Sequence, residues 1–101
     1  MIGIIYYISQ ERGMEEFKKI TSNYEKQGIL PLPLGLHLSR DNSYVKFENG
    51  DIWKTVRCGD GARGHRWNVA YIEHIIPEED REIFIYPYGL SYIWCATKEY
   101  Y

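Results

Sequence analysis

The side chains able to do chemistry in this chain gather in its second half. A glycine-rich stretch, Cys58-Gly59-Asp60-Gly61-Ala62-Arg63-Gly64-His65-Arg66, follows directly on Arg57. Successive backbone N–H groups in a glycine turn form an anion-binding nest, and arginine adds a planar fork of donors. Arg57, Gly59, Gly61, Arg63, Gly64 and Arg66 are therefore candidates to cradle a phosphate. The competing reading is a tight connection between two strands, with the arginines paired to acids. The glycine spacing matches no phosphate motif closely.

Glu73 and His74, with His65 upstream, suggest acid–base chemistry. Adjacent residues on a strand point to opposite faces, so Glu73 and His74 do not share a site simply. The plainer reading is a hydrogen-bonded strand histidine beside a solvated glutamate. Cys58, His65, His74 and Cys95 lack zinc-ligand spacing, so no metal and no cofactor is expected. Asp51-Ile52-Trp53-Lys54 lacks the acidic-x-Lys pair of a nuclease. Further on, Glu78, Glu79 and Asp80 are followed by Tyr86, Tyr88 and Tyr92. Tyrosine beside carboxylates suits a protein-binding patch, and the acids suit a basic partner. Trp53 with Lys46 and Lys54 is a weaker candidate for stacking bases.

The elements that must position these residues follow from hydrophobic period and turn chemistry. Residues 2–8 are almost wholly apolar, which predicts a strand covered on both faces. Ser9 can cap a helix over 10–27, where Met14, Phe17, Ile20 and Tyr24 form one apolar stripe and Gly28 stands just past the end. Pro31, Pro33 and Gly35 predict an extended connector over 29–39, with Ile29, Leu30, Leu32, Leu34, Leu36 and Leu38 seeking burial. Asn49-Gly50 between two β-prone runs predicts a two-residue hairpin loop with both φ angles positive. That register sets Phe47 opposite Ile52 and Val45 opposite Lys54, and Lys46 opposite Trp53 in a cation–π pair. Residues 67–76 read as a strand ended by Pro77, residues 78–82 as an acidic turn or a single helical turn, and 83–86 and 89–97 as two last strands. Trp67, Tyr71, Phe84 and Trp94 read as core.

The chain has 101 residues, 45% hydrophobic and 26% charged, with a net charge of -2. That is one domain, residues 1–101, burying roughly 60–70% of its unfolded surface. It excludes collagen, low-complexity sequence and a disordered acidic tail. Ten tyrosines and three tryptophans make it unusually aromatic, which favours contact surfaces. Two cysteines are too few for a disulfide framework; one bridge between them is open, but the count better suits free thiols in a reducing compartment. No basic stretch precedes the apolar N-terminal run, and no apolar run reaches the ~20 residues that span a bilayer. The expectation is a cytoplasmic protein away from membranes, with fold class α/β (α+β): one main helix on a mixed sheet of about five strands.

Val45-Lys46-Phe47-Glu48-Asn49-Gly50-Asp51-Ile52 resembles the φxFxNGSxI hairpin of phage large terminase subunits, the packaging ATPases. Ala62-Arg63-Gly64-His65-Arg66 through Glu73 resembles the RGxRxxxxxxxDE stretch that follows it there and delivers the Walker B carboxylates. The first strand and helix stand where that family has the pair after its phosphate loop, so the likeness covers about residues 2–76. The departures are specific. No G-x-x-x-x-G-K-[ST] occurs, and Ile72-Glu73-His74 replaces the aliphatic-Asp-Glu end of the Walker B strand. Glu73 could hold a metal in the aspartate role, whereas His74 is a poor substitute for a water-activating carboxylate. The resemblance implies a fragment of the motor fold without ATP hydrolysis, of phage or prophage origin and acting in the host cytoplasm.

These readings converge on a non-catalytic accessory or inhibitor protein that binds a host protein or its ligand. The alternative is a nucleotide- or nucleic-acid-binding module using the Arg-Gly loop, and a third is a small enzyme with Glu73 or His74 as base. A homo-oligomer is compatible with each.

Overall fold

The computed structural model describes residues 1–39, 42–59 and 64–98, with 90–98 described by backbone. Its elements are β1 (Ile2–Tyr7), α1 (Gln10–Lys26), β2 (Pro31–His37), β3 (Tyr44–Phe47), β4 (Ile52–Arg57), β5 (Trp67–Glu73), α2 (Glu78–Phe84) and β6 (Gly89–Lys98). A short 3-10 turn over Tyr86–Tyr88 joins the last two. The strands form one mixed sheet in the order β2-β3-β4-β1-β5-β6. β4, β1, β5 and β6 run parallel, while β2 and β3 add an antiparallel flank.

β1 lies between two parallel neighbours and is covered on both faces, which is why its sequence is apolar without alternation. On one face Ile5 packs with Phe17 and Ile20 of α1 and with Val45, Phe47 and Trp53. On the other, Ile4 and Tyr6 pack with Val56, Trp67, Ala70, Ile72, Ile76 and Ile85, with Phe84 of α2 alongside. Burying Phe17 and Ile20 contributes about 1.5–3 kcal/mol each and holds α1 to its face. Gly3 is required there: a Cβ would stand 2.4 Å from the Trp53 indole, so the ring lies flat on the β1 backbone. Ser9 caps α1 as expected, its Oγ accepting the Arg12 N–H at 3.5 Å.

The α+β class with a mixed sheet stands, with a second helix, α2, that carries the helical turn anticipated at 78–82 on through residues 83 and 84, in place of a short strand over 83–86. Carboxylates at 78–80 favour a helix start, and Trp67 Nε1 donates to the Ile85 carbonyl at 2.9 Å, fixing the helix end to β5. The strand expected over 67–76 stops at Glu73.

The hairpin differs from expectation by one residue. Lys46 pairs with Ile52 and Val45 with Trp53, and the Phe47 N–H donates to the Asp51 carbonyl at 2.8 Å. The loop therefore has three residues, Glu48-Asn49-Gly50, and only Gly50 takes a positive φ, +94°. The extra residue moves Trp53 onto the face of Val45 and α1, so it does not meet Lys46.

The proline segment departs furthest. It pairs with β3 as an edge strand, which explains its tolerance of Pro31 and Pro33. Its leucines are not buried: Leu30, Leu32, Leu34, Leu36 and Leu38 are all exposed.

Candidate functional site

Parallel strands direct their carboxyl ends to one edge of a sheet, and ligands favour the place where neighbouring connections leave in opposite directions. In this fold that place lies between β1 and β5. The chain leaves β1 into α1 over one face and leaves β5 into α2 over the other. There the Ser9 backbone N–H donates to Glu73 Oε1 at 2.9 Å. Glu73 is 4% exposed, and its Oε2 is buried without a hydrogen-bond partner. The N-terminus of α1 favours a negative charge at this point, but a half-satisfied buried carboxylate destabilises the fold. The glutamate expected to be solvated is thus sealed in, whereas His74, in the turn after β5, is exposed.

A second carboxylate is buried on the same face. Glu16 of α1 is 3% exposed. Burial first, and then the charge of Glu16, push the Tyr71 phenol above its ordinary range. Tyr71 stands two residues before Glu73 on the same side of β5. Among the described residues no three of histidine, cysteine, aspartate and glutamate gather as a metal site.

The structure does not bring the described Arg-Gly residues together. Arg57 ends β4 beside Tyr7, at the carboxyl edge of the sheet. Arg66 immediately precedes β5, which is parallel to β1, so it stands at the opposite edge. A strand of this length separates the two by roughly 20 Å. The end of β4 and the start of β5 thus lie at opposite edges of the sheet, so they are not the adjacent ends that a tight connection joins. Both arginines are exposed, Gly59 is half-buried and Gly64 exposed; Gly61 and Arg63 lie outside the described residues. His65 lies over the α2 face, its carbonyl 3.5 Å from the Tyr6 hydroxyl and its Nδ1 2.9 Å from Lys54 Nζ. Burial pulls the Lys54 ammonium below its ordinary range.

α2 gathers the acidic candidates on one exposed ridge. Glu78, Glu79 and Glu82 are exposed and Asp80 half-buried. Arg81, the one cation of this helix, donates to the carbonyls of Ile76 and His74 at 3.0 and 3.2 Å and pairs with Glu78 at 3.8 Å. Ile75, Ile83 and Tyr86 are exposed beside these acids. Tyr88 packs partly against the core, and the Tyr92 side chain lies outside the described residues. Cys58 lies under the same ridge: burial, then the Asp80 charge, push its thiol up, with Arg81 opposing.

Two features escaped the sequence reading. One is the exposed leucine edge of β2, whose signal was an uncharged Leu-Pro alternation read as core. The other is a polar chain through Tyr24, which had been read only as part of the apolar stripe. Its hydroxyl donates to Asp51 Oδ2 at 2.6 Å and accepts from Trp53 Nε1 at 3.0 Å. Among the described residues no helix is long and apolar enough to cross a membrane. No family model, curated protein or solved structure matches the chain.

Proposed function

We propose that this is a non-catalytic accessory or inhibitor protein, acting in a phage-infected or lysogenic host cytoplasm, whose α2 ridge binds a basic surface of a host protein. The observation that carries the reading is the ridge itself. Glu78, Glu79, Asp80 and Glu82 surround a single arginine already engaged by two backbone carbonyls, and exposed Ile83 and Tyr86 border them. Acids that steer a basic partner, next to apolar and aromatic anchors, form a recognised interface composition. The phage setting rests on the terminase resemblance of the sequence around Asn49-Gly50 and over residues 62–73. The sealed position of Glu73 supports a non-catalytic role, because neither solvent nor substrate reaches its free oxygen.

Native mass spectrometry of the protein purified gently from its host cytoplasm tests this reading. The expected result is a stoichiometric complex with a host protein, weakened by salt. Triple charge reversal at Glu78, Glu79 and Asp80 is expected to abolish the complex and leave the thermal melt in place. Retention of the complex by that variant places the contact elsewhere and overturns the reading.

A further inference from the structure

We infer that the leucine edge of β2 is a homodimer interface, with Leu34 of each copy seated in the groove of the other. This proposal is independent of the α2 ridge.

The knob comes first. Between the paired positions Pro31–Phe47 and Leu36–Val45, β2 carries three more residues than β3, so the strand bulges outward. Leu34 stands in that bulge at φ +60°, wholly exposed, and is the one non-glycine residue with positive φ among those described. This left-handed conformation is unfavourable for a leucine, and full exposure of its side chain adds a hydrophobic penalty. Gly35 holds the distortion in place: a Cβ there would stand 2.7 Å from the Lys46 carbonyl and 2.9 Å from that of Leu32. The backbone after Leu34 is thus pressed onto β3, and Leu34 is thrust away from its own core.

The hole lies beside it. A groove of about 320 Å³ runs between α1 and the start of the hairpin, its apolar wall formed by Phe17, Leu30, Leu36, Leu38 and Phe47, with Lys18 and Glu25 of α1 also lining it. Leu36, on its wall, belongs to the strand that carries the knob, and Leu30 and Leu38 flank that strand. A two-fold axis alongside β2 brings each knob to the partner's groove, the self-complementary arrangement of a closed dimer.

The area and charge fit a second copy. The exposed fractions of the five leucines add up to about three whole side chains, roughly 500–600 Å² per copy, already the upper limit of the largest apolar patch on a monomer. Two copies bury about 1,000–1,200 Å² through these side chains, the low end of the range of specific interfaces. From Gly28 to Ser39 the chain has no Asp, Glu, Lys or Arg, so this edge has no charge with which to select a charged partner. Pro31 and Pro33 lack N–H donors, which interrupts strand addition along the edge and leaves the side chains to make the contact.

Sedimentation equilibrium of the full chain from about 1 to about 200 μM tests the proposal. The wild type is expected to pass from monomer to dimer across this range. Leu34→Gly removes the knob and suits the positive φ, so it is expected to fold at least as stably while weakening the dimer at least tenfold, as hot-spot residues do. Leu38→Asp, at the wall of the groove, is expected to weaken it likewise, and charge reversal on α2 to leave it unchanged. A wild type that stays monomeric overturns the proposal. So does a dimer indifferent to Leu34→Gly, or one lost with the α2 charges.

Discussion

Replacing Tyr24 by phenylalanine removes one hydroxyl and keeps the ring, which stacks on Phe47 at 3.9 Å with an interplanar angle of 9°. The hydroxyl joins α1 to the hairpin. It donates to the Asp51 carboxylate at 2.6 Å and accepts from the Trp53 indole at 3.0 Å. A hydrogen bond to a charged acceptor contributes about 1.5–3 kcal/mol, and a partly buried indole N–H left without its acceptor adds about 1 kcal/mol. Asp51 keeps its bond from Asn49 at 3.2 Å and its contact with the N-terminal ammonium at 3.4 Å, so part of the network survives. The expected loss is therefore about 2–3 kcal/mol, a large share of the ~5–15 kcal/mol that holds a domain of this size. Urea denaturation reads it as a midpoint lower by about 1–2 M at unchanged slope. The difference must also depend on pH. Burial and the bond to Asp51, opposed by the bond from Trp53, push the Tyr24 phenol from 10.0 up to about 12. A raised pKa gives stability that is complete below pH 10.0 and lost as pH rises toward 12, so the gap between wild type and variant closes over that interval. A loss below about 0.5 kcal/mol at neutral pH refutes the reasoning, because it equals that of an ordinary surface substitution.

Other consequences follow from the same packing. Burial opposes ionisation of Asp51, but bonds from Tyr24, Asn49 and the N-terminal ammonium outweigh it and hold the carboxyl below its ordinary 3.8. Its contribution is present above pH 3.8 and lost as pH falls below, so acid titration of stability is expected to be shallower in Asp51→Asn. Gly3→Ala drives a methyl group into the Trp53 ring and is expected to cost about 1–3 kcal/mol in urea denaturation, with a changed near-ultraviolet tryptophan spectrum. Alkylation of Cys58 at pH 8 is expected to be slower than that of free cysteine, and Asp80→Asn, by removing the charge that raises its thiol pKa, to quicken it.

Sequence reading was strong where a local rule carried the whole signal. The unbroken apolar run of β1, the α1 stripe closed by Ser9 and Gly28, and the existence of a hairpin at Asn49-Gly50 all depend on near neighbours. It slipped where one residue of turn geometry had long-range consequences. A three-residue loop in place of two turned Trp53 toward α1 and removed its pairing with Lys46. It failed for the leucines of β2, because hydrophobicity registers the preference for burial and not whether a surface is present to receive it.

The functional candidates divide on the same ground. Composition and order determined an α+β domain with an acidic stretch at 78–82, and helix formation left Glu78, Glu79 and Glu82 exposed while Asp80 is half-buried and acts on Cys58. Tertiary structure decided that Arg57 and Arg66 stand at opposite ends of the sheet, since only strand direction tells which end of a strand a residue occupies. It likewise sealed Glu73 beneath Ser9, a partner 64 residues away. Periodicity assigns a residue to a face of its own element; what lies against that face depends on which elements become neighbours, and that is settled only when the whole chain packs.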